Sequence, residues 1–119
     1  MSKIVVVDDS YAELQLIEGY LKSANHTVVS YPNTDKLEDK LALDKPDLIV
    51  LDVVMPGQNG FQLTRAITRD PEFSNVPVII CTSKNQETDR VWGMRQGARD
   101  YVVKPVNPEE LLAKIKAFG

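Results

Sequence analysis

The sequence predicts an α/β domain built on a doubly wound, five-stranded parallel sheet with five helices. Three observations predict it. A short apolar run followed by a longer amphipathic stretch recurs five times within 119 residues. Three of the runs, at 4–7, 47–51 and 76–81, hold continuous blocks of Val, Ile and Leu, as parallel strands covered on both faces do. The other two, at 27–30 and 101–103, are shorter and more polar, which suits sheet edges. Five right-handed β-α units with those two at the edges give the strand order 2-1-3-4-5. The winding then reverses between strands 1 and 3 and opens a crevice beyond their carboxyl ends.

Each strand is followed by a helical signature. After the first, Leu14, Ile17 and Leu21 keep a helix period, and Ser10 with Glu13 forms a capping box ahead of them. Leu37 and Leu41 mark a second helix, started at Asn33-Thr34. Leu63 and Ile67 mark a third after Asn59-Gly60. Val91 and Met94 mark a fourth, with Ser83 and Gln86 as its capping box and Gly97 as its stop. Leu111, Ile115 and Phe118 mark a fifth. Its start is the clearest: Asn107 as cap, Pro108 in the first turn, then Glu109 and Glu110 at the positive helix end.

Composition narrows the function classes. Apolar residues make up 43% and charged residues 26%, which excludes a disordered or fibrous chain. The whole of residues 1–119 reads as one domain, with no linker, repeat or low-complexity stretch. No apolar run approaches the roughly 20 residues of a membrane span. The run after Met1-Ser2-Lys3 is too short for a signal-peptide core and has no cleavage site behind it. A single cysteine, Cys81, cannot build a disulfide framework; the expectation is a reducing cytoplasm, with Cys81 a small buried hydrophobe. A net charge of −3 with mixed signs speaks against nucleic-acid binding and against a polybasic membrane anchor.

Chemistry gathers at the strand ends. Asp8 and Asp9 follow strand 1, Asp52 follows strand 3, Thr82 strand 4 and Lys104 strand 5. Any one of these residues has a structural explanation, since Asp caps helices and Thr ends strands. Capping does not require all of them to share one edge. Three clustered carboxylates repel unless a cation joins them, and an oxygen-only set that leaves room for water suits Mg²⁺. Lys104 is a point charge able to hold an anion opposite the metal. Such a pair neutralises a transferring phosphoryl group, and an Asp there can be the nucleophile. The lone His26 precedes an edge strand and reads as solvated.

Over essentially its whole length the chain resembles the receiver domains of bacterial two-component response regulators. The motifs are Val7-Asp8-Asp9-Ser10, Leu51-Asp52-Val53-Val54-Met55-Pro56 with Gly60, Thr82-Ser83, Gly97-Ala98 and Lys104-Pro105. The strand order above is also that family's order, so the two are not independent. The resemblance implies a flavodoxin-like receiver fold in a chemotaxis-regulator-like, single-domain regulator. It makes Asp52 the phosphoacceptor, Asp8 and Asp9 the Mg²⁺ acid pair, and the Val54 carbonyl a further ligand. Thr82 becomes the switch hydroxyl, Lys104 the phosphate-pairing lysine, Tyr101 the switch aromatic, and the Lys104-Pro105 bond cis. The implied partners are a histidine kinase or its phosphotransfer domain and a downstream target. That target would bind a helix 4–strand 5–helix 5 surface around Arg90, Trp92, Arg95 and Tyr101, with Tyr101 turning inward on phosphorylation. The implied protein is a monomer or weak dimer and a phosphoacceptor rather than an enzyme. The segment from Lys84 to Tyr101 looks most like regulators of type IV pilus twitching motility and phototaxis. Val54 and Lys84, two residues beyond Asp52 and Thr82, offer no carboxylate or amide to orient an attacking water.

Three other readings meet specific obstacles. A flavin-binding module would need a Gly/Ser/Thr-rich loop where Asp8-Asp9 stands. A Mg²⁺ phosphatase with an Asp nucleophile usually places two acids two apart after one strand, under a cap segment that this sequence lacks. A degenerate, binding-only receiver would not need the full acid, Thr and Lys set. Trp92, between Arg90 and Arg95, reads either as half-buried packing or as part of a docking surface.

Overall fold

The computed structural model describes residues 2–118. Five strands form the sheet: β1 (Lys3–Val7), β2 (Thr27–Tyr31), β3 (Leu48–Leu51), β4 (Val78–Thr82) and β5 (Asp100–Val103). All are parallel, in the order β2-β1-β3-β4-β5, as the apolar runs predict. The helices are α1 (Tyr11–Ser23), α2 (Leu37–Asp44), α3 (Gly60–Arg69), α4 (Glu87–Arg95) and α5 (Pro108–Phe118). No described helix is long and apolar enough to cross a membrane.

Strand alternation divides the core between two faces. Ile4, Val6, Leu48, Val50, Ile79, Cys81 and Val102 meet Leu14, Ile17 and Leu21 of α1 and Leu111 and Ile115 of α5. Val5, Val7, Ile49, Leu51 and Val78 meet Leu37 and Leu41 of α2 and Leu63 and Ile67 of α3. A small third cluster, Val53, Ile80, Ala98 and Tyr101, lies where α4 approaches the sheet. Phe118, expected on the buried face of α5, is 36% exposed.

Several boundaries differ from the sequence reading. Strand 4 starts at Val78 rather than Val76, because Pro77 lacks the N–H a central strand must donate. Helix α2 starts at Leu37, not at Asn33-Thr34: the Asn33 side chain accepts the Asp35 N–H in a local turn, and Lys36 enters the helix at φ 51°. The cap of α4 is Gln86, whose N–H donates to the Asp89 carboxylate; Ser83 takes no part. A two-residue ribbon, Val54–Met55 against Gln58–Asn59, falls between β3 and α3. The caps of α1, α3 and α5 are as expected: Ser10, Asn59 and Asn107 accept backbone N–H groups of the following turns.

Candidate functional site

The site lies at the carboxyl edge of the three central strands and β5. The ladder runs one rung past the strands: Asp52 N–H donates to the Val7 carbonyl (3.0 Å), Lys104 N–H to Thr82 (2.8 Å) and Asp8 N–H to Tyr31 (3.2 Å). The backbone of each polar residue is therefore fixed by the sheet, and four strand ends deliver their side chains to one place.

Asp8 and Asp52 are held alike. Asp8 accepts the Ser10 N–H (3.0 Å) and Asp52 accepts the Val54 N–H (2.9 Å), each with Oδ1 and each from two residues onward. Their Oδ2 atoms both accept from Lys104 Nζ, at 2.6 and 3.0 Å. Asp8 and Asp52 are only 2% and 5% exposed, while Asp9 is exposed at the rim. One carboxylate oxygen of each acid lies within 4.8 Å of the others. The sequence placed Lys104 across from the acids; it sits between two of them and is the cation that offsets their repulsion. Burial pulls the Lys104 ammonium down, but the hydrogen bonds to Asp8 and Asp52 outweigh it and hold the group above its ordinary value. The Lys104-Pro105 bond is cis.

Thr82 is fully buried, and its Oγ1 accepts the Lys84 N–H at 3.5 Å. Tyr101 is buried at the floor of the groove between α4 and α5, and its hydroxyl donates to the Lys84 carbonyl (2.9 Å), closing β5 onto the loop after β4. Burial, then Asp89 and Asp52, push the Tyr101 hydroxyl up to about 12. Burial also pushes the Cys81 thiol up to about 12, consistent with an inert core residue.

The four residues expected to share a docking surface do not all share one. Arg90, Trp92 and Arg95 are exposed on α4. Arg90 lines a groove of about 170 Å³ with Tyr101, Val103, Glu110 and Lys114, whereas Arg95 faces a separate cavity between the ends of α3 and α4. Five residues along a helix turn a side chain by about 140°, so the two arginines diverge. Lys114 was missed by the sequence reading. Its ammonium donates to the Tyr101 carbonyl (2.9 Å) and pairs with Asp100 (3.1 Å) and Glu110 (3.6 Å), fastening α5 to β5. The Glu110–Lys114 spacing was the available signal.

With this geometry in hand, the relatives are informative. Residues 4–116 match the response regulator receiver domain family. The chain is 50% identical to protein PilH of Pseudomonas aeruginosa over 120 aligned positions, covering 98% of this chain and 97% of PilH. Among solved structures it resembles a putative response regulator from Chloroflexus aurantiacus, with a TM-score of 0.92, 25% identity and coverage of 98% and 96% of the two chains. It also resembles the chemotaxis protein CheY4 of Vibrio cholerae, with a TM-score of 0.90, 28% identity and coverage of 100% and 99%.

Proposed function

The chain belongs to the response regulator receiver family, and on that premise we propose that it takes a phosphoryl group from a histidine kinase or its phosphotransfer domain onto Asp52. The observation that carries this reading is the state of Asp52: buried, with one oxygen on a backbone N–H and the other on the Lys104 ammonium, inside a three-acid cluster. An oxygen of the Asp52 carboxylate attacks phosphorus, the bond from phosphorus to the donor nitrogen breaks, and its electron pair stays with the donor imidazole. Lys104 is placed to offset charge as the phosphoryl group arrives, exchanging a carboxylate partner for a phosphoryl oxygen.

Asp8, Asp9 and Asp52 supply only oxygen donors, one of them at an open rim, and that set fits Mg²⁺. These three, with the Val54 carbonyl, would hold the ion, which when bound neutralises phosphoryl charge. The Thr82 hydroxyl turns toward a phosphoryl oxygen, and Tyr101 packs behind it. Because Tyr101 is already buried, phosphorylation favours an arrangement within reach of the unmodified chain, shifting a population rather than creating a new state. The output surface is the groove shared by α4, β5 and α5. The likeness to PilH supports a role in pilus-based motility. Neither Val54 nor Lys84 offers a carboxylate or amide to orient an attacking water, which supports slow decay of the aspartyl phosphate.

The test is incubation with acetyl phosphate and Mg²⁺ followed by intact-mass measurement. Wild type gains one phosphoryl group and Asp52→Asn gains none; unchanged labelling of the variant refutes the assignment. Asp9→Ala abolishes Mg²⁺ binding. Val54→Asn and Lys84→Glu hasten decay once the donor is removed. With the phosphoryl mimic beryllofluoride, amide shifts extend through residues 90–104, and shifts confined to the Asp52 crevice would refute the switch.

A further inference from the structure

At the opposite edge of the sheet, the ends of α3 and α4 border an open cavity of about 210 Å³. Three arginines line it from three separate segments: Arg69 in the last turn of α3, Arg95 in the last turn of α4, and Arg99 in the turn before β5. Among the described residues, the ion pairs involve only Lys104 and Lys114, so none of the three guanidiniums has a carboxylate partner. Arg69 and Arg95 sit where helix dipoles attract cations. Arg99 belongs to neither helix, and it makes the cluster more than dipole compensation. Ser74 lines the same wall, its hydroxyl donating to the Pro71 carbonyl at 3.4 Å.

The frame around the cavity is rigid. Thr68 Oγ1 donates to the Gln96 carbonyl at 2.6 Å, joining the two helix ends directly. Gly97 sits at φ +100°, and a Cβ there would lie 2.4 Å from Thr68 Oγ1, so only glycine permits this approach. The polar part of the Gln96 side chain is turned inward, its amide donating to the Trp92 carbonyl. All three arginines are exposed at the mouth of this cavity, where water screens them, and an anion bound among them would gain from all three charges.

We propose that this cavity binds a phosphate-bearing anion of diphosphate type, free or as the terminal groups of a nucleotide. Guanidinium forks match phosphate oxygens in pairs, and a tetrahedral phosphoryl group offers oxygens toward three walls at once. A flat carboxylate faces one or two. The site is remote from Asp52 and does not depend on the phosphoacceptor reading.

The experiment is an NMR titration of the ¹⁵N-labelled protein with pyrophosphate in Mg²⁺-free, chelator-containing buffer. Saturable shifts are expected at residues 68–69, 74 and 95–99. Arg99→Gln weakens affinity about tenfold, as loss of a charge-assisted contact does, and the Arg69→Gln/Arg95→Gln/Arg99→Gln triple variant abolishes binding while the rest of the spectrum stays native. Should the triple variant fail to fold, Arg99→Gln alone decides. A parallel titration with ADP separates the sources. Tighter binding with added shifts identifies a nucleotide, and equal or weaker binding identifies the inorganic anion. Shifts centred on Asp52 and Lys104, unchanged affinity on losing Arg99, or equal affinity for citrate would each overturn the proposal.

Discussion

Helices α3 and α4 are similar in length, ten and nine residues, and lie on the same face of the sheet. Helix α3 buries Gly60, Leu63, Thr64 and Ile67, and Asn59 caps it with two side-chain hydrogen bonds. Helix α4 buries Gly93 alone and leaves Val91, Trp92 and Met94 between 37% and 50% exposed. The first is held by its own side chains. The second is held by what its neighbours press against it: a Cβ on Gly93 would lie 2.8 Å from Ile80 Cδ1 and 3.2 Å from the Tyr101 ring. An element with so little apolar surface of its own in the core is cheap to displace. Its position follows Tyr101, whose hydroxyl in turn holds the loop leading from Thr82. The difference thus separates a helix that fixes the fold from one that can report on the site.

Four substitutions, with a fifth as control, break or sharpen this contrast. Ile67→Ala removes a fully buried side chain of α3 and leaves a cavity; a loss of about 3–4 kcal/mol is expected in urea unfolding. A loss under about 1 kcal/mol would mean that α3 is no better anchored than α4. Gly93→Ala should raise helix propensity yet cost about 1 kcal/mol net, since overpacking against Ile80 and Tyr101 outweighs the gain. Gly19 of α1 is the control: a Cβ there meets nothing within 4 Å, so Gly19→Ala should stabilise by about 0.5–1 kcal/mol. If Gly93→Ala stabilises as well, the close contact does not hold α4 in place.

Tyr101→Phe removes the bond to the Lys84 carbonyl and should cost about 1 kcal/mol near neutral pH. It also has a signature at high pH. Unfolded, Tyr101 loses its proton near its ordinary value of 10.0; folded, near 12. Between those values the folded chain binds more protons than the unfolded one, so stability falls as pH rises. Tyr31, raised to about 12 chiefly by its hydrogen bond to Asp44, acts in the same direction. Tyr101→Phe should therefore flatten part of the decline between pH 10 and 12, and an unaltered slope would contradict the burial of Tyr101. The smallest effect on stability is expected of Trp92→Ala, within about 0.5 kcal/mol, because half of that side chain already meets solvent. A larger loss would show that α4 is anchored through Trp92, and that its packing role outweighs any docking role.

Much of this was legible in the sequence because the informative signals are local. Continuous Val/Ile/Leu blocks mark strands covered on both faces, and residues directly after such blocks must emerge at one edge of a parallel sheet. That places Asp8, Asp52, Thr82 and Lys104 together from local pattern alone. Ser10, Asn59 and Asn107 announced their helices because a cap bonds within three residues of itself. Other features are set by partners distant in the chain. Lys36 opens α2 in a left-handed conformation that no side chain advertises. Val91 and Met94 marked α4 by their spacing, whereas tertiary contact with Ile80 and Tyr101 gave the buried place on that helix to Gly93. Tyr101 was legible as a switch aromatic that turns inward, but nothing in the sequence connects its hydroxyl to the Lys84 carbonyl seventeen residues earlier. The sequence by itself thus determined the order of elements and the identity of the carboxyl-edge site, since both follow from the alternation of strand and helix. Only the tertiary structure decided that Lys104 spans Asp8 and Asp52, that the Tyr101 hydroxyl meets the Lys84 carbonyl, and that Arg69, Arg95 and Arg99 meet around one cavity. Each of these depends on the distances between segments, which packing fixes and local pattern does not encode.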